Sequence, residues 1–206
     1  MPRRKSAALA REKKPDDYFN SVEVEIMNRL VMVEGKRYKA CKIVRQALDE
    51  VFDQQSKNGL YRVQKKASTD RSEKRGYRND SIEEARDEED AKAEFNLEEM
   101  DKKEAILVIF NDVLERAGPG LELVSKRIGG ANIQVPVVVK QDRRLTLAAR
   151  TIVKNARARV KQMKSMAAAL AAEILDIIKG TAKTLVDKEN LLKMAKANAV
   201  YSGIRR

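Results

Sequence analysis

Residues 125–137 read SKRIGGANIQVPV and predict two short β-strands joined by a tight turn. Gly129 and Gly130 can adopt the positive φ angles that a two-residue hairpin turn requires, because glycine has no Cβ to clash. Apolar residues then alternate with other residues, as in a half-buried strand. They are Ile133, Val135, Val137 and Val139. We therefore expect a β-ribbon over about residues 121–139, where both strands are edges and Pro136 is tolerated.

Cations flank this ribbon and continue into the next predicted helix. Lys126 and Arg127 precede the turn, and a row of five cations follows the ribbon: Arg143, Arg150, Lys154, Arg157 and Lys161. At 100° per residue the row occupies about 60° of the helix surface. The opposite side is apolar: Leu145, Ala148, Ile152, Ala156 and Val160. An ordinary solvated face has the same pattern, but many arginines, the lack of a carboxylate and the link to the ribbon favour phosphate binding.

Periodicity along the rest of the chain predicts a mainly α fold with six helices. They are expected over about residues 21–33, 36–54, from 103, from 142, from 164 and from 187. Ser21 suits an N-cap, and one face of the first helix is predicted to be buried: Val22, Ile26, Leu30 and Val33. Residues 118–120, Gly-Pro-Gly, stop the third helix. Asp187 is expected at the start of the last helix, where the dipole favours an anion.

Composition excludes several classes of site. The chain of 206 residues has no histidine and one cysteine, which removes Ser-His-Asp and Cys-His catalysis and His- or Cys-based metal sites. We expect neither catalytic residues nor a cofactor or metal. A net charge of +12 predicts an anionic partner. The sequence also lacks a transmembrane-length apolar run and a secretory signal, which predicts a soluble protein that is not secreted.

An acidic segment interrupts this basic chain. Residues 79–101 carry a net charge of −9, which leaves +21 for the remainder. The predicted organisation is a basic arm (1–17), a first helical part (18–63), a charged insertion (64–102) and the remaining helices with the ribbon (103–206). The acidic segment is either a solvated single helix or a disordered loop, and we favour a peripheral insertion. Its carboxylates at 87–90 are consecutive and point around a helix axis, which favours solvated charge over a metal site.

The chain resembles the bacterial form of the seventh protein family of the small ribosomal subunit. The strongest matches are residues 125–130 and 134–137, with weaker ones at 1–4, 27–28, 35–36, 43–48, 143–157, 170–176 and 194–198. The resemblance implies six helices with a protruding β-ribbon and binding to the 3′ major domain of small-subunit rRNA. It also implies a role in assembly of the subunit head, with the ribbon near the exit-site tRNA. The family has no counterpart of residues 64–102, and both Ile133 and the C-terminal tail depart from its pattern.

The resemblance and the basic pattern together give a predicted RNA-binding set. It comprises Arg3, Arg4, Lys5, Lys36, Arg37, Lys126, Arg127, Arg143, Arg144, Arg150, Lys154 and Arg157. Five residues at the ribbon tip are predicted to face the exit-site tRNA: Ile128, Gly129, Gly130, Ala131 and Asn132. The expected partners are small-subunit rRNA, exit-site tRNA and neighbouring ribosomal proteins, with no membrane and no small-molecule substrate. The expected location is a ribosome of the bacterial cytoplasm, with an organellar ribosome as the alternative.

Three other functions compete with the ribosomal one. An architectural DNA-binding protein would use the ribbon as a groove-reading arm, with Ile128 or Ile133 as an apolar wedge. A membrane-surface module would use the basic helix, but the apolar face of that helix lacks the large aromatics that insertion favours. An enzyme would need converging carboxylates or lysines, and the sequence shows none. For the insertion, our hypothesis is an acidic appendage that avoids rRNA and touches a basic neighbouring protein.

Overall fold

The computed structural model describes residues 14–56, 60–65, 91–96 and 101–203. Within them the chain forms six α-helices and two antiparallel two-stranded sheets, as the mainly α prediction requires. The helices are α1 (Val22–Val31), α2 (Arg37–Ser56), α3 (Lys102–Ala117), α4 (Gln141–Met163), α5 (Met166–Lys179) and α6 (Lys183–Ala197). The strands are β1 (Leu60–Lys65), β2 (Ala91–Asn96), β3 (Leu121–Ile128) and β4 (Ala131–Val138), and a 3₁₀ turn follows α6 at Ala199–Gly203.

Helix α5 lies at the centre of the bundle. It packs against α2, α3, α4 and α6, and its side chains are buried on almost every side, including Leu170, Ile174 and Ile177. A helix that is apolar around most of its circumference is stable only when other helices surround it. Ser165 caps its start and Gly180, at φ 82°, ends it. These four helices bury apolar residues against α5, and α1 packs on α2 and α4. Their polar faces remain for solvent or ligands.

Helix α1 begins where predicted but buries a different face. The Ser21 hydroxyl accepts the Val24 N–H at 3.4 Å, which confirms the predicted N-cap. The helix ends at Val31, and Val33, which was predicted to be buried, is 60% exposed. The fully covered residues are Val24, Glu25, Met27, Asn28 and Val31, while the predicted set of Val22, Ile26 and Leu30 is only half-buried. Asn28 is buried because its amide donates to Asp16 at 2.8 Å, a tertiary contact that periodicity does not reveal.

Helix α6 starts four residues earlier than predicted, at Lys183 rather than Asp187. Its N-cap position holds Ala182, which has no side-chain acceptor, and the Glu173 carboxylate on α5 takes over that role. Glu173 accepts the Thr184 backbone N–H at 3.2 Å and the Thr184 hydroxyl at 2.6 Å. Asp187 lies inside the helix and accepts the Asn155 amide at 3.1 Å. The start of α6 is therefore set by another helix.

The segment between α2 and α3 contains strands. Strand β1 pairs with β2 in antiparallel register from Leu60↔Asn96 to Lys65↔Ala91. The prediction weighed a single helix against a disordered loop for the acidic segment, and strand β2, which lies within that segment, is neither. The acidic run at 87–90 lies outside the described residues. Asp16, which the prediction placed in the N-terminal arm, packs on α1 and accepts the backbone N–H groups of Tyr18 and Phe19.

Candidate nucleic-acid interface

Strands β3 and β4 form the predicted ribbon, with the turn at the predicted glycines. Gly129 has φ 56° and Gly130 has φ 90°, and Ile128 pairs with Ala131 across the turn. Two consecutive positive φ angles in a two-residue loop define a type I′ turn, whose twist matches that of the flanking strands. Gly129, Gly130, Ala131 and Asn132 are all exposed. The side chain of Ile128 lies outside the described residues.

One face of the ribbon is polar and open to solvent near the tip. Arg127 lies opposite Asn132 and Ser125 lies opposite Gln134, and all four side chains are exposed. Directly opposed residues of an antiparallel pair project from the same face of the sheet. This polar face offers a guanidinium, two amides and a hydroxyl, which together can donate to and accept from a nucleic acid.

The other face of the ribbon turns towards the protein. Val135 is 1% exposed, Ile133 and Lys126 are half-buried, and Val137 is exposed. Strand β3 contacts α6, and strand β4 contacts the 3₁₀ turn. Ile133 is thus not a protruding wedge of the kind that a minor-groove architectural protein inserts between base steps.

Helix α4 carries the predicted cationic row on the side away from the core. Arg150, Lys154, Arg157 and Lys161 are exposed. On the opposite side Ala148, Ile152 and Ala156 are buried, and Leu145 and Val160 are half-buried. The predicted division of this helix into a core face and a charged face is confirmed. These four residues are called the α4 row below.

Arg143, predicted as the first member of the same row, is engaged with the ribbon. Its Nη2 donates to Glu122 Oε1 at 2.7 Å and its Nε donates to Glu122 Oε2 at 3.2 Å. These hydrogen bonds hold the pKa of the Glu122 carboxyl below its usual value, and the charge of nearby Arg150 acts in the same direction. The predicted row itself contains no carboxylate, but a carboxylate from β3 neutralises its first member. Sequence reasoning missed Glu122, although it is an acidic residue inside an otherwise cationic strand.

Arg144 is engaged as well, with the end of α3. Its Nη2 donates to the Glu115 carbonyl at 3.0 Å and its Nε donates to the Gly118 carbonyl at 3.3 Å. Carbonyl groups at a helix C-terminus lack intrahelical partners and carry the negative end of the helix dipole, so a cation is favourable there. The arginine also needs Gly118, because a Cβ at that position would lie 2.8 Å from Arg144 Cγ.

Other predicted RNA-binding residues also have partners within the protein. Arg157 Nη2 donates to the Leu30 carbonyl near the end of α1 at 2.8 Å and keeps the rest of its guanidinium exposed. Arg37 lies 3.1 Å from the buried carboxylate of Glu25, and Lys36 pairs with Glu34. In the described part of the chain, the side chains of Arg127, Arg150 and Lys154 form no ion pair or hydrogen bond. Arg3, Arg4 and Lys5 lie outside it.

A groove of about 810 Å³ along α2 is of a different kind. It is lined by Tyr18, which is covered by the Arg45 guanidinium at 3.5 Å, and by both acidic and basic side chains. Within the described ranges, no three His, Cys, Asp or Glu side chains form a group that could hold a metal ion. Among the described helices, none is both long and apolar enough to cross a membrane. The α4 row and the ribbon remain the strongest candidate site.

A helical domain that presents a cationic helix face beside a protruding polar ribbon defines a class: structural proteins that bind RNA by charge and shape. A family model for ribosomal protein S7p/S5e matches residues 2–72 and 85–199. The chain belongs to this family. That membership confirms the predicted family and a structural, non-enzymatic role in the small ribosomal subunit, with rRNA and other ribosomal proteins as partners.

Individual relatives match along the whole length. Small ribosomal subunit protein uS7 of Limosilactobacillus fermentum is 31% identical over 205 residues, covering 100% of this chain and 99% of its own. The uS7 protein of Chloroflexus aggregans is 33% identical over 202 residues, covering 98% and 97%. That of Neisseria meningitidis is 30% identical, covering 100% and 99%. The family match omits residues 73–84, a shorter stretch than the 64–102 segment for which no counterpart was expected.

Proposed function

We propose that this protein binds the 3′ major domain of small-subunit rRNA and organises assembly of the subunit head. The observation that carries the proposal is the α4 row, Arg150, Lys154, Arg157 and Lys161, exposed along one side of a helix whose other side is core. From Arg150 to Lys161 it extends over about 16 Å at 1.5 Å per residue. A row of this length can neutralise several phosphates and release their counterions.

The ribbon extends the proposed rRNA surface. Arg143 of α4 contacts Glu122 of β3 at 2.7 Å, and the α4 row begins seven residues later on the same helix. The exposed polar face, with Arg127 and Asn132 near the tip, continues the surface away from the helices. Recognition by two surfaces depends mainly on RNA shape, because side chains cannot read the deep, narrow major groove of A-form RNA.

The tip of the ribbon is proposed to face the exit-site tRNA. Gly129, Gly130 and Ala131 are exposed and carry at most a methyl group. Small side chains let the backbone approach a ligand closely, and the amide groups of a tight turn can then contact phosphate or sugar. The proposed location is a ribosome of the bacterial cytoplasm or of an organelle. For residues 64–102 we propose contact with a basic neighbouring ribosomal protein, since the net charge of −9 over residues 79–101 disfavours rRNA.

A pair of matched double variants tests the proposal. Arg150→Gln/Lys154→Gln removes two exposed cations of the α4 row, and Lys193→Gln/Lys196→Gln removes two exposed cations of α6. Binding of each to the 3′ major-domain rRNA fragment is measured at several salt concentrations. We expect only the α4 variant to weaken binding. The slope of log affinity against log salt should become less steep by about 1.4 to 1.8, because two phosphate contacts are lost. Equal losses for both variants would show that only total charge matters and would overturn the proposal.

A further inference from the structure

We propose that Arg143 and Arg144 are positioning residues that aim the β-ribbon relative to α4, instead of phosphate ligands. The proposal rests on the proposed function, because the ribbon and the α4 row must meet one RNA at a fixed angle. Both residues belong to the set that sequence reasoning assigned to RNA. The structure shows each of them engaged with a different element at the base of the ribbon.

Arg143 joins α4 to the first strand of the ribbon. The two hydrogen bonds to Glu122 form a fork, with both carboxylate oxygens used. A forked pair fixes the relative orientation of its two planes, whereas a single contact leaves rotation free. The Arg143 and Glu122 side chains remain 48% and 31% exposed. Because solvent screens an exposed pair, its contribution to stability is small and its main effect is on geometry.

Arg144 joins α4 to the helix that precedes the ribbon. It occupies the C-terminal carbonyls of α3, at Glu115 and Gly118, and so holds the point where the chain enters β3. The chain leaves β4 beside the same point, where the Val139 N–H donates to the Gly120 carbonyl at 3.1 Å. Successive residues of a helix diverge by 100°. Arg143 and Arg144 therefore hold two different elements from one helical turn.

The length of the ribbon makes its angle at the base important. Strands of eight residues rise about 27 Å at 3.4 Å per residue. A rotation of 10° at the base displaces the tip by about 5 Å over that length. Such a displacement exceeds the length of a hydrogen bond. Loss of the fork would therefore separate the ribbon contacts from those of the α4 row without unfolding either element.

Charge reversal distinguishes positioning from direct contact. The variants are Arg143→Glu, Glu122→Arg and the double variant, and the readout is affinity for the 3′ major-domain fragment. If Arg143 aims the ribbon, the affinity of each single variant falls roughly tenfold, because like charges repel β3 from α4. The double variant then regains most of the lost affinity. If Arg143 binds phosphate, Glu122→Arg does not weaken binding and the double variant stays as weak as Arg143→Glu. That second pattern would overturn the proposal.

A distance measurement tests the same proposal without RNA. Spin labels at Ala131→Cys on the ribbon tip and Ala158→Cys on exposed α4 are placed in a Cys41→Ser background, and the same charge variants are introduced. We expect the distance distribution to widen or shift in both single variants and to narrow again in the double variant. An unchanged distribution in the single variants would overturn positioning. Restored distances in a protein that does not prefer the rRNA fragment would instead refute the proposed function alone.

Discussion

At the scale of single residues, Gly118 shows how tightly the base of the ribbon is built. Its backbone, at φ −68° and ψ 122°, is open to any residue, so conformational freedom is not the reason for glycine. Space is the reason. A Cβ would lie 2.8 Å from both Cγ and Nε of Arg144 and 3.1 Å from the Leu114 carbonyl oxygen. Gly120, two residues later, has open space around its Cβ position.

We predict that Gly118→Ala lowers the free energy of unfolding by about 1–3 kcal/mol, the usual cost of overpacking, because Arg144 must move from the end of α3. Gly120→Ala is the matched control, and it should change stability little because its added methyl group meets no atom. Urea denaturation of both variants and the parent provides the measurement. Equal stabilities of the two variants would contradict the packing at Gly118.

At the scale of elements, the placement of α6 depends on a polar network buried between three helices. Thr184 lies at the centre: its hydroxyl donates to Glu173 on α5 and accepts the Asn155 amide of α4 at 3.1 Å. Arg159 Nε lies 3.1 Å from the other oxygen of Glu173. Because Glu173 is fully buried, its charge requires these partners. Helix α6 in turn contacts β3, so the network supports the ribbon.

Replacement of Thr184 by valine is predicted to destabilise the protein by about 1–3 kcal/mol, because two buried polar groups lose a partner while the volume is kept. Amide hydrogen exchange should rise first in α6. Thr181→Val, three residues earlier and exposed, is the control. If the two variants unfold at the same urea concentration with the same exchange pattern, the contacts of the Thr184 hydroxyl with Glu173 and Asn155 have no energetic role.

The ribbon and the helices show which parts of the fold the sequence could predict. The ribbon was predicted closely because its glycines and alternating apolar residues are local signals, and the core face of α4 follows from spacing alone. The start of α6 and the buried face of α1 were wrong because tertiary partners decide them. Glu173 caps α6 from another helix, and Asp16 draws Asn28 into the interior.

The candidate site was predicted in the same uneven way. Sequence spacing places Arg150, Lys154 and Arg157 on one exposed face, as observed. It does not reveal that Arg143 and Arg144 bind Glu122 and the end of α3, since those partners are 21 to 29 residues away in the chain. The elements that pack beside a helix therefore decide which of its charged residues pair within the protein and which remain exposed.

At the scale of the whole molecule, charge is arranged unevenly. A net charge of +12 combines −9 over residues 79–101 with +21 elsewhere. The exposed α4 row and the polar ribbon face lie outside the acidic stretch, on a core built around α5. In the proposed function, the α4 row neutralises phosphates while the shape of the surface selects the RNA. Nonspecific attraction to polyanions would require only the positive charge and no fixed angle between the ribbon and the α4 row.

The most direct test of this account compares binding to the 3′ major-domain fragment of small-subunit rRNA with binding to an RNA duplex of matched charge, over a series of salt concentrations. We predict that both affinities fall as salt rises and that the preference for the rRNA fragment persists, because shape recognition does not depend on counterion release. Equal affinities that decline together at every salt concentration would contradict the account and identify the protein as a nonspecific polycation.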